Sequence, residues 1–192
     1  MSGYKNTVFE ELYSSYQAAT TTTPTAAAVS LTVGMPAIIV PGLYMHKLGD
    51  DTSSLKFIMR GQMTATATVP TFTVGMAFTT SSTFAGTPVL ATTAAFTPVA
   101  GTGAYFRMEL DIGLRSLGLG AGSTVVAIGH ISGALLPTAT FGEQSLPATN
   151  TAPTVATWDE VQNYYLWPYL TLSAATAGNT MSVHMAKLYG EN

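Results

Sequence analysis

Three histidines are the side chains of this sequence best suited to hold a metal ion. His46, His130 and His184 are far apart, and none belongs to an H-x-H, H-E-x-x-H or H-x-D/E pattern. The ligands of zinc and iron sites usually include such local sequence patterns. The absence of cysteine also removes thiolate nucleophiles and thiolate metal ligands. We therefore predict no metal site and no cofactor, and expect each histidine to occupy an ordinary strand or loop position.

Two carboxylates, Glu109 and Asp111, are spaced to share one face of a strand, where a carboxylate pair can perform acid–base catalysis. Arg107 and Arg115 fall on the same face. Opposite charges in this arrangement are typical of ion pairs between neighbouring strands, and we favour that interpretation. The glycine-rich stretch 118–122 follows a strand without opening a helix, so it predicts a turn and not a phosphate-binding loop. The sequence predicts no enzyme.

An aromatic cluster near the carboxyl end is the strongest candidate for a binding surface. Tyr165, Trp167 and Tyr169 share one face of a strand beginning near residue 164, and Trp158 precedes it. Pro168 restricts this strand to a sheet edge or a bulge. Tyrosine and tryptophan are enriched at protein interfaces and also stack on sugars. We consider two interpretations of this aromatic cluster equally well supported, a partner interface and a second core face, and we rank sugar binding below both.

The composition limits the kinds of partner. Of the 192 residues, 47 % are hydrophobic and only 9 % are charged, with 7 basic and 10 acidic side chains. About a quarter of an average soluble domain is charged. With so few basic residues, the sequence predicts no basic surface for binding a phosphate backbone, so nucleic acid is not an expected partner. No run of about 20 apolar residues predicts a membrane span, and the segment after Lys5 lacks the apolar stretch of a secretory signal.

The first thirty residues differ in pattern from the rest. Thr7 and Glu10 form a capping-box pattern at the start of a predicted helix over Val8–Ala19. The apolar face of this helix would carry Val8, Phe9, Leu12, Tyr13 and Tyr16. A Thr/Ala/Pro linker follows. We therefore predict an N-terminal arm and linker over residues 1–30 and a β-domain over residues 31–192, with the arm binding a partner through its apolar face.

A period of two dominates beyond the arm and predicts antiparallel strands. The clearest is Tyr105–Arg115, in which apolar and charged residues alternate over the whole length. The other predicted strands are Ala37–Met45, residues 55–65, residues 71–79, Thr124–Ile131, Tyr164–Ser173 and Thr180–Leu188. Many short strands separated by turns indicate an all-β antiparallel sandwich of the jelly-roll type. Ser132–Thr157 is predicted to be a long excursion with few apolar anchors.

Three stretches, in order, carry a resemblance to a known family. They are residues 55–61 with 70–76, residues 105–118 with 122–129, and residues 169–175 with 179–183. Over roughly residues 35–190 the chain resembles the jelly-roll structural proteins of long-tailed bacteriophage virions, which occur as head decoration or minor capsid components. The resemblance implies a jelly roll without enzymatic activity, seated on the capsid as a homotrimer.

These expectations combine into one functional hypothesis and two alternatives. The chain is expected to be a capsid decoration protein, made in the host cytoplasm, that contacts the major capsid protein and other copies of itself and stabilises the shell. The first alternative is a tail-associated receptor- or glycan-binding module that uses Trp158, Tyr165, Trp167 and Tyr169 as stacking platforms. An enzyme of the jelly-roll oxygenase or lyase type ranks last, because metal ligands are not recognisable.

Overall fold

The computed structural model describes residues 9–16, 20–22, 27–42, 44, 54–66, 70–116, 118, 122–137, 142–148 and 151–191. These residues form thirteen strands in two antiparallel sheets. The strands are β1 Phe9–Ser15, β2 Thr20–Thr22, β3 Val29–Ser30, β4 Ile38–Pro41, β5 Ser54–Ala65, β6 Phe72–Thr79, β7 Val89–Thr92, β8 Gly101–Ser116, β9 Ser123–Gly133, β10 Glu143–Leu146, β11 Ala156–Trp158, β12 Asn163–Leu172 and β13 Thr180–Glu191.

The larger sheet has eight strands, with the order β1-β13-β5-β8-β9-β10; β2 pairs with β13, and β11 pairs with β9. The smaller sheet has five, with the order β3-β12-β6-β7, and β4 also pairs with β12. Buried and accessible residues alternate strictly over all twelve positions of β5 and over Tyr105–Ile112 in the middle of β8. Each sheet therefore has one inner face on the core and one outer face, as the sequence period of two requires.

The pairing order is that of a jelly roll, which is a long hairpin rolled into two sheets. Among the described strands, the first main strand pairs with the last (β1 with β13), and β4 pairs with β12. Further in, β5 pairs with β8, and β6 pairs with β7. The strands β9, β10 and β11 are inserted between the sixth and seventh members of this nested set. The predicted all-β sandwich is confirmed.

The core lies between the inner faces of the two sheets. Its largest side chains with no exposed surface include Trp158, Phe57, Phe72 and Met108. Removing apolar surface from water is the main stabilising contribution in such a sandwich. Charged residues do not appear among the buried side chains of the described segments.

The helix predicted over Val8–Ala19 is wrong for residues 9–15, which form strand β1 instead. This strand pairs antiparallel with β13, from Phe9 opposite Glu191 to Ser15 opposite Ala186. Local spacing suits a helix here, but a free edge of β13 offers a hydrogen-bonding ladder that outweighs helical propensity. Val8 and residues 17–19 lie outside the described residues. The domain boundary at residues 30 and 31 stays a prediction, although β1 and β3 both pair with strands beyond it.

The predicted excursion Ser132–Thr157 contains two further strands in its described part. β10 and β11 both pair with β9, at opposite ends of that strand. Leu146 of β10 is fully buried, so this segment packs on the core although it contains few apolar residues. The excursion is thus partly an extension of the larger sheet.

Candidate interaction surface

Charged residues in the described strands belong to the larger sheet alone. They are Glu10, Glu11, Lys56, Arg60, Arg107, Glu109, Asp111, Arg115, Glu143, Lys187 and Glu191. The five strands of the smaller sheet contain no charged residue. The segment that joins β6 to β7, residues 80–88, contains none either. Among the described strands, the outer face of the larger sheet is therefore charged and that of the smaller sheet carries no charged residue, which is an asymmetry that overall composition does not reveal.

The charge-free outer face carries the aromatic cluster. Along β12, Tyr164 and Leu166 point into the core, so Tyr165, Trp167 and Tyr169 point outward. The rings of Tyr165 and Trp167 lie nearly parallel, 14° apart, with their centroids separated by 6.4 Å. We call Tyr165, Trp167, Tyr169 and Phe84 the aromatic face. The predicted shared orientation of the three β12 residues is confirmed.

Phe84 joins the aromatic face from the segment between β6 and β7. Its ring centroid lies 6.1 Å from that of Trp167 and 6.2 Å from that of Tyr169. The indole Nε1 of Trp167 donates a hydrogen bond to the Ser81 carbonyl at 3.4 Å, which ties the same segment to the face. Sequence reasoning missed Phe84, because its contribution depends on a loop that folds back over the sheet. The only sequence signal was an aromatic residue inside a long uncharged stretch.

Tyr169 is the most buried member of the aromatic face, because its ring lies across the neighbouring strand. It pairs with Gly75 of β6, and a Cβ atom at Gly75 would come within 2.5 Å of the tyrosine Cζ and hydroxyl oxygen. Burial raises the pKa of the Tyr169 hydroxyl, and a hydrogen bond with the side chain of Thr92 opposes that rise. Gly75 therefore provides the space in which this ring packs.

Trp158 does not belong to the aromatic face, which corrects its predicted role in partner binding. It has no exposed surface, and its Nε1 donates a hydrogen bond to the Gly42 carbonyl at 2.9 Å. Its ring stacks on Tyr164, and Tyr164 stacks on Phe78 at a centroid distance of 4.4 Å. Buried tryptophan usually finds such a hydrogen-bond acceptor. Trp158 is thus a core residue, whereas Tyr165 and Trp167 remain accessible in part.

An open cleft of about 420 Å³ adjoins the aromatic face where β6 ends and β11 begins. Its lining is rich in threonine and contains no charged residue; it consists of Phe78, Thr79, Thr80, Pro88, Val89, Thr154, Val155, Ala156, Thr157 and Tyr164. Thr79 is the register partner of Tyr165, so the cleft and the aromatic face are continuous through that strand pair. The cleft offers hydroxyl groups and apolar walls to a neutral ligand.

The predicted partner residues of the arm occupy the edge strand β1 or lie near it. Tyr13 donates its hydroxyl to the Pro36 carbonyl at 2.9 Å, and Leu12 is half-buried against the core. Tyr16 is exposed, and its ring lies 5.0 Å from Nζ of Lys187. The side chain of Phe9 and the whole of Val8 lie outside the described residues. Leu12, Tyr13 and Tyr16 contact the sandwich, and the role of all five residues in binding a partner stays a prediction.

Lys187 of β13 is the main polar contact of β1. Its Nζ atom donates a hydrogen bond to Oε2 of Glu11 at 2.8 Å and lies 5.6 Å from the ring of Tyr189. The bond to Glu11, with smaller contributions from the hydroxyls of Tyr16 and Tyr189, raises the pKa of Lys187. The same bond lowers the pKa of Glu11. The ammonium group of Lys187 thus contacts one carboxylate and two aromatic rings, and through Glu11 and Tyr16 it links β13 to β1 and the residue that follows it.

Three of the four charged residues of β8 form ion pairs with described residues, and only one of these pairs crosses between strands as the sequence analysis predicted. Arg107 pairs with Glu109 on the same strand, and Lys56 of β5 pairs with Asp111 at 3.6 Å across the sheet. His130 on β9 is the register partner of Glu109, and His184 lies exposed at a bulge of β13. The described residues contain no group of three or more potential metal ligands. His46 lies outside the described residues.

Comparison with protein-family models, with curated proteins and with solved structures finds no match for this chain. The described residues include no helix that is long and apolar enough to cross a membrane. Functional inference therefore depends on the charge-free aromatic face, the adjoining cleft and the resemblance stated above.

Proposed function

We propose that this chain is a non-enzymatic structural protein of a phage virion that decorates the head and stabilises the shell. The observation that carries the proposal is the charge-free outer face of the smaller sheet, with the accessible rings of Tyr165 and Trp167 at its centre. The resemblance to jelly-roll decoration proteins supplies the kind of assembly. The proposed partners are the major capsid protein and two further copies of this chain, on the outer surface of the capsid.

Burial energetics favour this face as the contact surface. A charged side chain moved from water into an interface loses several kcal/mol of hydration unless a partner restores it. The smaller sheet has no such cost to meet, since its strands lack Asp, Glu, Lys and Arg. Aromatic residues contribute most of the binding free energy in many interfaces. Contact through this face would bridge adjacent capsid subunits and raise the barrier to their separation.

The test is co-sedimentation of the full chain with purified capsids that lack it. We expect Trp167→Ala to weaken binding at least tenfold, because truncation of a central aromatic residue commonly costs about 2 kcal/mol or more. The matched control is Ile128→Ala, which shortens an exposed apolar side chain on the larger sheet. In Trp167→Ala the buried Trp158 is the sole tryptophan, so its fluorescence verifies the fold. Equal loss in both variants, or no loss in Trp167→Ala, would contradict the proposal.

A receptor- or glycan-binding module is the second candidate, favoured by one observation. The near-parallel rings of Tyr165 and Trp167 adjoin a cleft lined by threonine hydroxyls, an arrangement suited to stacking and hydrogen bonding with a neutral sugar. Incubation of the labelled chain with host cells and with capsids separates the two functions. Binding to cells alone would favour the module and reject decoration.

A further inference from the structure

Two arginines face each other on the outer face of the larger sheet. Arg60 of β5 and Arg107 of β8 are direct register partners, and both side chains are exposed. The Cβ atoms of such partners lie about 5 Å apart, and like charges in this position destabilise a sheet. The chain has only seven basic residues, so a high density of arginine does not account for this juxtaposition.

Hydrogen-bond donors surround the two arginines. Two residues further along the same strands, the next register pair on the outer face is Gln62 and Tyr105. The side chain of Tyr105 is 75 % exposed. His184 lies exposed at the β13 bulge beside Arg60, between the partners of Gly61 and Arg60. We call Arg60, Arg107, Gln62, Tyr105 and His184 the donor patch. Donors from three adjacent strands therefore converge on one area of the sheet.

The acceptors nearby balance only part of this charge. Glu109 forms an ion pair with Arg107, and Glu143 lies two strands away from Arg107, beyond its partner Ser132. Arg60 has no ion pair with any residue that the structure describes. At least one guanidinium group thus presents its hydrogen-bonding fork to solvent, next to a second one in register.

We propose that the donor patch is a binding site for an oxyanion, either a phosphate group or a carboxylate group of a ligand. Guanidinium forks match the geometry of both groups and form charge-assisted hydrogen bonds with them. An oxyanion placed between Arg60 and Arg107 converts their mutual repulsion into attraction to a shared partner. The site is on the opposite sheet from the aromatic face, so it goes beyond the proposed function and does not depend on it.

The experiment measures the thermal unfolding midpoint of the full chain in inorganic phosphate or in citrate, each compared with sodium chloride at equal ionic strength. A ligand that binds only the folded state raises the midpoint in a saturable manner. We expect such a rise in at least one of the two anions. A response to phosphate assigns a phosphate group, and a response to citrate alone assigns a carboxylate. No rise above the chloride control in either anion would overturn the proposal.

Variants locate the site and separate it from general charge effects. Arg60→Gln and Arg107→Gln should each reduce the anion-dependent rise at least severalfold, whereas Arg115→Gln, at the far end of β8, should leave it unchanged. Arg60→Gln should also raise the midpoint in low salt without added anion, because it removes the repulsion. An equal anion response in Arg60→Gln and Arg115→Gln would contradict the assignment. Trp167→Ala should keep the full response, so this result stands apart from the capsid-binding test.

Discussion

At the scale of single residues, Gly75 and Tyr169 depend on one another. The tyrosine ring covers the backbone of β6 where a larger residue would need space, and in return the ring loses most of its exposure. Aromatic side chains that cover a strand glycine stabilise the local sheet pairing. This packing holds one edge of the aromatic face in place, since Tyr169 also contacts Phe84.

We predict that Gly75→Ala lowers the free energy of unfolding by about 1–3 kcal/mol, the usual cost of overpacking a filled site. Urea denaturation followed by tryptophan fluorescence measures the change. In a Tyr169→Ala background the ring is gone, so the same glycine substitution should cost much less. An equal cost of Gly75→Ala in both backgrounds would show that steric conflict with Tyr169 is not the cause.

At the scale of elements, β1 is joined to the sandwich along one edge, and an ion pair between Glu11 and Lys187 is one of its side-chain attachments. The pKa of Glu11 is lowered in the folded chain. Its contribution to stability is therefore present above the unfolded pKa of about 4.3 and is lost as the pH falls through the folded value. The pKa of Lys187 is raised, so its contribution is lost only in strongly alkaline solution.

We predict that Glu11→Gln reduces the hydrogen-exchange protection factors of the Glu10–Ser15 amides severalfold at pH 7. The difference from the parent chain should shrink progressively as the pH is lowered below the unfolded pKa of about 4.3, because the parent carboxylate then becomes protonated. Amide exchange followed by NMR measures both effects, with Glu143→Gln as a control on the opposite edge of the sheet. A difference that stays undiminished to the lowest pH of the series would rule out the ion pair as its source.

At the scale of the whole molecule, the two outer faces differ in how much ion hydration is lost when a partner covers them. The larger sheet can be covered only if its ion pairs remain solvated or meet opposite charges, whereas the smaller sheet can be covered without separating ions from water. The low charge content is thus unevenly distributed: the described strands of the smaller sheet carry no charged residue, and those of the larger sheet carry eleven.

We predict that one carboxylate placed on the smaller sheet disrupts association even without loss of an aromatic ring. Thr171→Glu, on the outward side of β12, should weaken capsid binding at least tenfold while leaving the unfolding midpoint within a few degrees of the parent value. Ser145→Glu introduces the same charge on exposed β10 and should bind normally. Binding that survives Thr171→Glu would place the contact elsewhere on the molecule.

The sandwich and most of its long strands could be predicted from the sequence because alternation is a local signal that tertiary contacts reinforce. The shared face of Tyr165 and Trp167 followed from the same period, but the sequence left open whether that face lies outward or in the core. The strand at Phe9–Ser15 could not be predicted, since its spacing suits a helix and only the edge of β13 decides otherwise. Phe84, Gly75 and the Arg60–Arg107 pairing depend on register between distant segments, about which local patterns carry no information.

The position of β13 between β1 and β5 has a consequence for the order of folding. The larger sheet cannot close until residues 180–191 have left the ribosome, because both neighbours pair with that strand. A nested topology with such distant partners has a high contact order, which slows folding. Until residues 180–191 are in place, β1 has no strand to pair with and β5 keeps one edge with unpaired backbone hydrogen-bonding groups.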